Sequence, residues 1–296
     1  MTTLAKLPEI VQESHLEATL HPNEDIVKTT MHKTYSGRWR TQQEQWERKK
    51  ILGKRGFGIV WLEERVYKTS TGYNLRAVKQ LDISGIKSKY SDHVRELEAL
   101  TTFSQQKYVQ FFVKSHGWFG SPSSLFIAME YCPNGDLKRY LENNGKLPEA
   151  QAQNVAWQIL QGLRFMHQND FAHRDLKPAN ILIKSKPPEG KWHVKICDLR
   201  LSKRVGTKAE STTAIGTPGF MAPEAISGIG SDTRTFDPFM ADMRCLGETV
   251  FYMLTFKATF DNLILLSEYH KGNVEFPTKA LGETTQSGVL PQAQKT

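Results

Sequence analysis

Residues 52–60 read LGKRGFGIV, with Gly53, Gly56 and Gly58 in a turn between two strand-like runs. Glycines at such a turn let backbone N–H groups approach phosphate oxygens, because no Cβ stands in the way. Alone the signal is weak, since glycine-rich hairpins are commoner than nucleotide loops. A second signal is Lys79 in RAVK, inside an apolar run. An ammonium facing an apolar interior needs an anion. Glu96, on the next helical stretch, can supply it, and phosphate oxygens can share it. Third, residues 173–180 read HRDLKPAN, with Asp175, Lys177 and Asn180 inside six positions on a loop entering a strand. An acid, two bases and an amide packed this densely are hard to explain as solvated surface. Fourth, Asp198 ends the run HVKIC, with GTPGFMAPE at 216–224 downstream. Phosphate is the ligand that the first two signals share.

The elements that must position these groups follow from periodicity. KKILG, GIVWLEERVY and LRAVKQL are β-branched and aromatic runs broken by Gly-rich or polar turns, which predicts strands. SDHVRELEALTTFSQ is predicted helical from Asp92 as a cap, with Val94, Leu97, Ala99, Leu100 and Phe103 marking a face. Two strands follow around FFVKSHGWF and SLFIAMEY. In EAQAQNVAWQILQGLRFMHQ, Ala152, Val155, Ile159, Leu163 and Met166 form one stripe at spacings of 3, 4, 4 and 3, the signature of an amphipathic helix. ILIK and HVKIC read as two short strands joined by the turn-rich SKPPEGK. The sum is an α+β chain: a small antiparallel β-rich lobe with one helix, then a mainly helical lobe. Residues 1–46 are polar, contain Pro8 and Pro22 and hold no sustained period. They are expected to form a flexible leader, or to lie on the main body through Trp39 and Trp46.

Bulk properties narrow the classes. The chain has 296 residues and a net charge of +8, with the basic residues scattered rather than blocked. That pattern suits a solvated surface better than a nucleic-acid patch, and no zinc-finger or RNA-binding motif accompanies it. Cys132, Cys197 and Cys245 form no CxxC pair, so neither a zinc site nor a disulfide framework is indicated. No apolar run approaches the roughly 20 residues of a membrane helix, and no signal-peptide core opens the chain. Cytosol or nucleus is the expected compartment, with neither a membrane nor nucleic acid as a partner.

The order of the four signals resembles a eukaryotic-type protein kinase catalytic domain, from about Glu47 to near the C-terminus. HRDLKPAN and MAPE carry most of the likeness. The lysine two positions after Asp175 resembles the serine/threonine class, and HVKICD and ADMRCLGE resemble its calcium/calmodulin-dependent branch. The resemblance implies a bilobal fold, with an N-lobe over 47–130 and a C-lobe over 131–296. It implies ATP and Mg²⁺ as cofactors, a protein substrate with a Ser or Thr acceptor, and an upstream activating kinase. Lys79, held by Glu96, would orient the α- and β-phosphates. Asp175 would accept the hydroxyl proton and Lys177 would steady the γ-phosphate. Asn180 and Asp198 would hold Mg²⁺. Leu52, Gly53, Gly56 and Gly58 would cover the nucleotide. Val60, Ala77 and Leu182 would flank the adenine, with MEYC (129–132), including Glu130 and Cys132, as hinge and Met129 as gatekeeper. Ser211, Thr212 and Thr213 are candidate phosphosites, because a phosphate there would pair with Arg174.

Three departures from the family pattern set expectations of their own. Arg55 replaces the middle glycine of the loop. It either blocks the backbone's approach to phosphate or binds it bidentately, and weakened ATP binding is the expectation. Asp198-Leu199-Arg200 stands for Asp-Phe-Gly. Arg200 is expected to carry backbone strain of about 1–3 kcal/mol where the family has glycine. Finally, Arg244 occupies a usual tryptophan position and the C-lobe reads as incomplete. Glu224 would then be a buried carboxylate without its usual arginine, at a cost of several kcal/mol. Two readings therefore stand: an active kinase, or a pseudokinase that binds without efficient transfer.

Overall fold

The structure, a computed structural model, describes residues 7–20, 26–35, 38–55, 58–68, 73–83, 88–204, 216–225, 237–260 and 262–282. The chain divides into two compact units, Met1–Cys132 and Pro133–Thr296.

The first unit is built on a seven-stranded sheet. Its strands are β1 (Glu17–Leu20), β2 (Ile26–Tyr35), β3 (Arg38–Arg55), β4 (Gly58–Arg65), β5 (Leu75–Asp82), β6 (Ser115–Gly120) and β7 (Ser124–Glu130), with helices α1 (Glu9–Glu13) and α2 (Ser88–Phe103). The order is β1-β2-β3-β4-β5-β7-β6, every neighbouring pair antiparallel. FFVKSHGWF is a strand only from Ser115 onward, and α2 begins at Ser88, a turn before Asp92.

The two edges of this sheet meet. His15 bridges Trp118, the Leu16 N–H donates to the Trp118 carbonyl at 2.7 Å, and the Trp118 N–H donates to the Ser14 carbonyl at 3.1 Å. The sheet thus closes towards a barrel, which removes exposed edge groups. Side chains alternate faces along a strand. Val78 of β5 joins Leu16, Val27, Phe119, Phe126 and Ala128 in the enclosed cluster, so Lys79 faces the other way. Burying side chains such as Leu16 and Val27 contributes about 1.5–3 kcal/mol each. The same enclosure holds charge: Arg76, 1% exposed, donates from Nε to Glu63 at 2.8 Å and stacks on Trp46 at 4.2 Å.

The leader is therefore not a structureless tail where it is described. It supplies α1, β1, β2 and the start of β3, and Trp46 is fully buried. Its polarity misleads because a strand with one face in solvent needs apolar residues only on the other, and Val27 and Trp46 supply them. The Trp39 side chain lies outside the described residues.

The second unit is mainly helical. Helix α3 (Leu137–Asn144) starts at Asp136, whose carboxylate accepts the Arg139 N–H at 2.9 Å, a normal cap. Helix α4 (Glu149–Gln168) buries the predicted stripe of Ala152, Val155, Ile159, Leu163 and Met166. Strand β8 (Phe171–Ala172) pairs with β11 (Lys203–Arg204), and β9 (Ile181–Ser185) pairs with β10 (His193–Ile196). Helix α5 (Pro238–Thr255) opens on Asp237 as cap with Pro238 in its first turn, where proline's fixed φ fits. Helices α6 (Leu263–His270) and α7 (Lys279–Gly282) follow.

Candidate active site

In the second unit, the loop between β8 and β9 gathers the polar groups of HRDLKPAN around Asp175, which is 8% exposed. Lys177 Nζ donates to Asp175 Oδ2 at 2.7 Å. Asn180 Nδ2 donates to the same oxygen at 3.2 Å and to the Asp175 carbonyl at 2.8 Å. Thr217 Oγ1 donates to Asp175 Oδ1 at 2.7 Å and accepts from Lys177 Nζ. A carboxylate held on both oxygens has a fixed direction and charge-assisted partners.

The loop's backbone is held from α5. Asp242, fully buried, accepts the His173 N–H and the Arg174 N–H, each at 2.8 Å, and bonds His167 Nε2 at 2.9 Å. Arg174 sits at φ 68, a left-handed conformation that a non-glycine residue holds only with support. His173 ties the loop to β10. Its Nδ1 accepts the Asp175 N–H at 3.3 Å, so its Nε2 carries the proton and donates to the Cys197 carbonyl at 3.2 Å. The Cys197 N–H in turn donates to the Asn180 carbonyl at 2.9 Å. Asp198 follows directly.

Asp198 has φ 60 and ψ 60, and Leu199–Leu201 form a 3-10 turn. Among the described residues, the non-glycines with positive φ are Asp170, Arg174, Asp198 and Phe256. The strain expected at Arg200 is therefore not there. The left-handed residue is Asp198, a residue type that enters this region more readily than most. Leu199 is 1% exposed and fills an apolar position. The Arg200 side chain and Ser211, Thr212 and Thr213 lie outside the described residues.

In the first unit, Lys79 Nζ bonds Glu96 Oε1 at 2.5 Å, the two side chains being 14% and 1% exposed. The register sets Lys79 beside Val60 and Ile127, and Ala77 beside Leu62 and Met129. Gly53 pairs with Val60, and a Cβ on it would meet nothing within 4 Å. Gly58 is different: a Cβ there would fall 2.1 Å from the Gln80 carbonyl oxygen. At Gly58, β5 lies against the backbone and leaves no room for a side chain. Leu52 is half-buried, as are Met129 and Glu130, and Cys132 is buried; in the second unit Leu182 is half-buried and pairs with Lys195. Gly56 and the Arg55 side chain lie outside the described residues.

One expectation about charge is corrected. Glu224 is exposed rather than buried, so it carries no desolvation cost. Arg244 Nη1 donates to buried Glu248 at 2.8 Å, and so has a partner of its own. Beside Asp242, burial first, then the charges of Asp242 and Asp175, push the Cys245 thiol up to about 12. Asp242 and Thr217 were not singled out in the sequence. Thr217 falls inside the noted GTPGFMAPE run, but nothing local marks its hydroxyl as a partner of Asp175. Asp242 acts on residues 68 and 69 positions away.

The protein kinase domain family model matches residues 46–286. Serine/threonine-protein kinase ATG1a of Arabidopsis thaliana is 30% identical over 220 residues, 74% of this chain and 33% of the relative. Mitogen-activated protein kinase kinase kinase 3 of Homo sapiens is 36% identical over 220 residues, covering 72% and 32%. Myosin light chain kinase A of Dictyostelium discoideum is 29% identical over 241 residues, covering 80% and 76%. The chain thus spans about a third of the length of the first two relatives.

Proposed function

This chain belongs to the protein kinase family, and on that premise we propose that it is a serine/threonine kinase that moves the γ-phosphate of ATP to a protein hydroxyl. The observation that carries the reading is the Asp175 carboxylate, oriented on both oxygens by Lys177, Asn180 and Thr217.

The donor chemistry suits the family's cofactors. Asn180 and Asp198 offer oxygens to a hard cation, and a pair of protein donors suits Mg²⁺, which keeps several waters. Among the described residues, no group of three or more His, Cys, Asp and Glu gathers for another metal. Open space over Gly53 leaves room for a ligand's phosphates. When bound, Mg·ATP supplies the phosphoryl group and the charge that offsets its oxygens.

The chain's own residues do the rest. Lys79, fixed by Glu96, binds the α- and β-phosphate oxygens. Leu52, Gly53, Gly56 and Gly58 cover the phosphates. By the family pattern, Val60, Ala77 and Leu182 would flank the base, with residues 129–132 as hinge and Met129 as gatekeeper. Asp175 aligns the acceptor hydroxyl and takes its proton, a task that rests on position more than on basicity. Lys177, already beside that carboxylate, holds negative charge on the γ-phosphate. Phosphorylation of Ser211, Thr212 or Thr213 by an upstream kinase would engage Arg174. No helix among the described residues is long and apolar enough to cross a membrane, and cytosol or nucleus is the proposed compartment.

A pseudokinase is the second reading. Arg55 and Arg200 stand where the family has glycine, which favours a kinase-like binding or scaffold protein with weak or no phosphoryl transfer. Phosphate transfer from labelled ATP to a basic protein acceptor decides between them. The active reading expects signal from the wild type and little from Asp175→Asn. Equal signal from both proteins sinks it.

A further inference from the structure

The segment Leu7–Leu16 does more than close the sheet, because it is tied to the helix that carries Glu96. Helix α1 packs on α2, and Val11 is fully buried. Ser14 Oγ lies 3.3 Å from Thr101 Oγ1 of α2, and Thr101 itself donates to the Leu97 carbonyl at 2.7 Å. The Val11 carbonyl accepts the Trp118 indole N–H at 2.8 Å. Strand β6 is shaped to receive this segment. Gly117 holds φ +119, and a Cβ there would lie 2.7 Å from both the Ser14 carbonyl oxygen and Leu16 Cγ. Only glycine combines that backbone with that approach. On the other side of the helix's role, Glu96 Oε1 bonds Lys79, while Glu96 Oε2 is buried with no hydrogen-bond partner among the described residues. A carboxylate held through one oxygen depends on where its helix sits.

We infer that Leu7–Leu16 is an intramolecular strap that positions α2 and, through it, Glu96 against Lys79. Val11, Ser14 and Leu16 are its positioning residues. A short segment anchored by three buried side chains, Leu7, Val11 and Leu16, opens at lower free energy than the sheet it lies on. The strap is therefore the place where the Lys79–Glu96 pair is made or released. The inference rests on the reading that Glu96 fixes Lys79 for phosphate.

The test uses the full chain with Val11→Asp and the milder Ser14→Ala and Leu16→Ala. Amide hydrogen exchange is read over residues 93–103, over β5 and over α4, and Mg·ATP affinity is titrated in the wild-type and Glu96→Gln backgrounds. Exchange in α2 is expected to rise about tenfold or more with β5 of the same unit and α4 both unchanged, reporting local opening rather than opening of the whole first unit. Affinity is expected to fall about tenfold with Glu96 present and no further once it is Gln, the non-additivity of a shared path. A strap that only stabilises the fold gives the same loss in both backgrounds, which overturns the inference. Unchanged α2 exchange in all three variants overturns it as well. If Val11→Asp unfolds the first unit, the two alanine variants decide. If wild type does not bind Mg·ATP, the functional reading fails, and α2 exchange alone then judges the strap.

Discussion

The Arg174 N–H donates to Asp242 Oδ1 at 2.8 Å, and Arg174 holds φ 68. One buried carboxylate thus supports a left-handed residue next to Asp175. Removing it orphans the N–H groups of His173 and Arg174 and lets the loop relax. Asp242→Ala is expected to cost roughly 3–5 kcal/mol, the scale for deleting one side of a buried charged network. Urea unfolding checks this. A midpoint within error of wild type would show that the loop holds itself.

Glu96→Gln tests the lysine pair. The variant keeps shape and loses the charge opposite Lys79. Charge-assisted bonds are worth about 1.5–3 kcal/mol, so ATP affinity is expected to fall by about tenfold or more. The measurement is a nucleotide titration. Lys79→Met gives a loss at least as large.

How much of this was legible in the sequence depends on what each feature rests on. The α4 stripe was readable because burial repeats at the helical period. The lysine's partner was readable because an ammonium in an apolar strand requires an anion. The leader's strands were hidden, since among the described side chains Val27 and Trp46 are the buried apolar ones while Glu17, Thr19 and Gln43 face solvent. Asp242 and Thr217 were hidden for another reason: each acts on groups far away in the chain, and neither residue type marks itself. At Gly58 the sequence does not separate two reasons for a glycine, since one that clears a neighbouring strand reads like one that clears a phosphate.

Arg200→Gly tests where the backbone strain lies. With the positive φ at Asp198 and none at Arg200, glycine at 200 relieves nothing and adds unfolded-state freedom, costing about 0.5–1 kcal/mol. The melting temperature is expected to stay level or drop slightly. A rise of several degrees would return the strain to residue 200.

Cys245 gives a pH signature. Its folded thiol is pushed up to about 12 from 9.0, chiefly by burial. A raised value means the unfolded chain loses the proton first. The contribution is whole below pH 9.0 and declines as pH rises from there towards about 12. The stability difference between wild type and Cys245→Ala should therefore narrow over that window in urea titrations. Iodoacetamide at the lower end of the window should leave Cys245 unmodified in native protein and label it in urea. Rapid native labelling would refute the burial argument.

Under the proposed function, Asn180 and Asp198 would hold a divalent ion and Lys79 would bind the nucleotide. A thermal-shift titration with ATP, with and without Mg²⁺, tests it most directly. At ATP about 100 times its Kd, linkage predicts stabilisation of about 2.7 kcal/mol, and a shift of several degrees. That shift should need Mg²⁺ in wild type and vanish in Asp198→Asn. A shift of equal size without the metal, or one untouched by Asp198→Asn, would contradict the account.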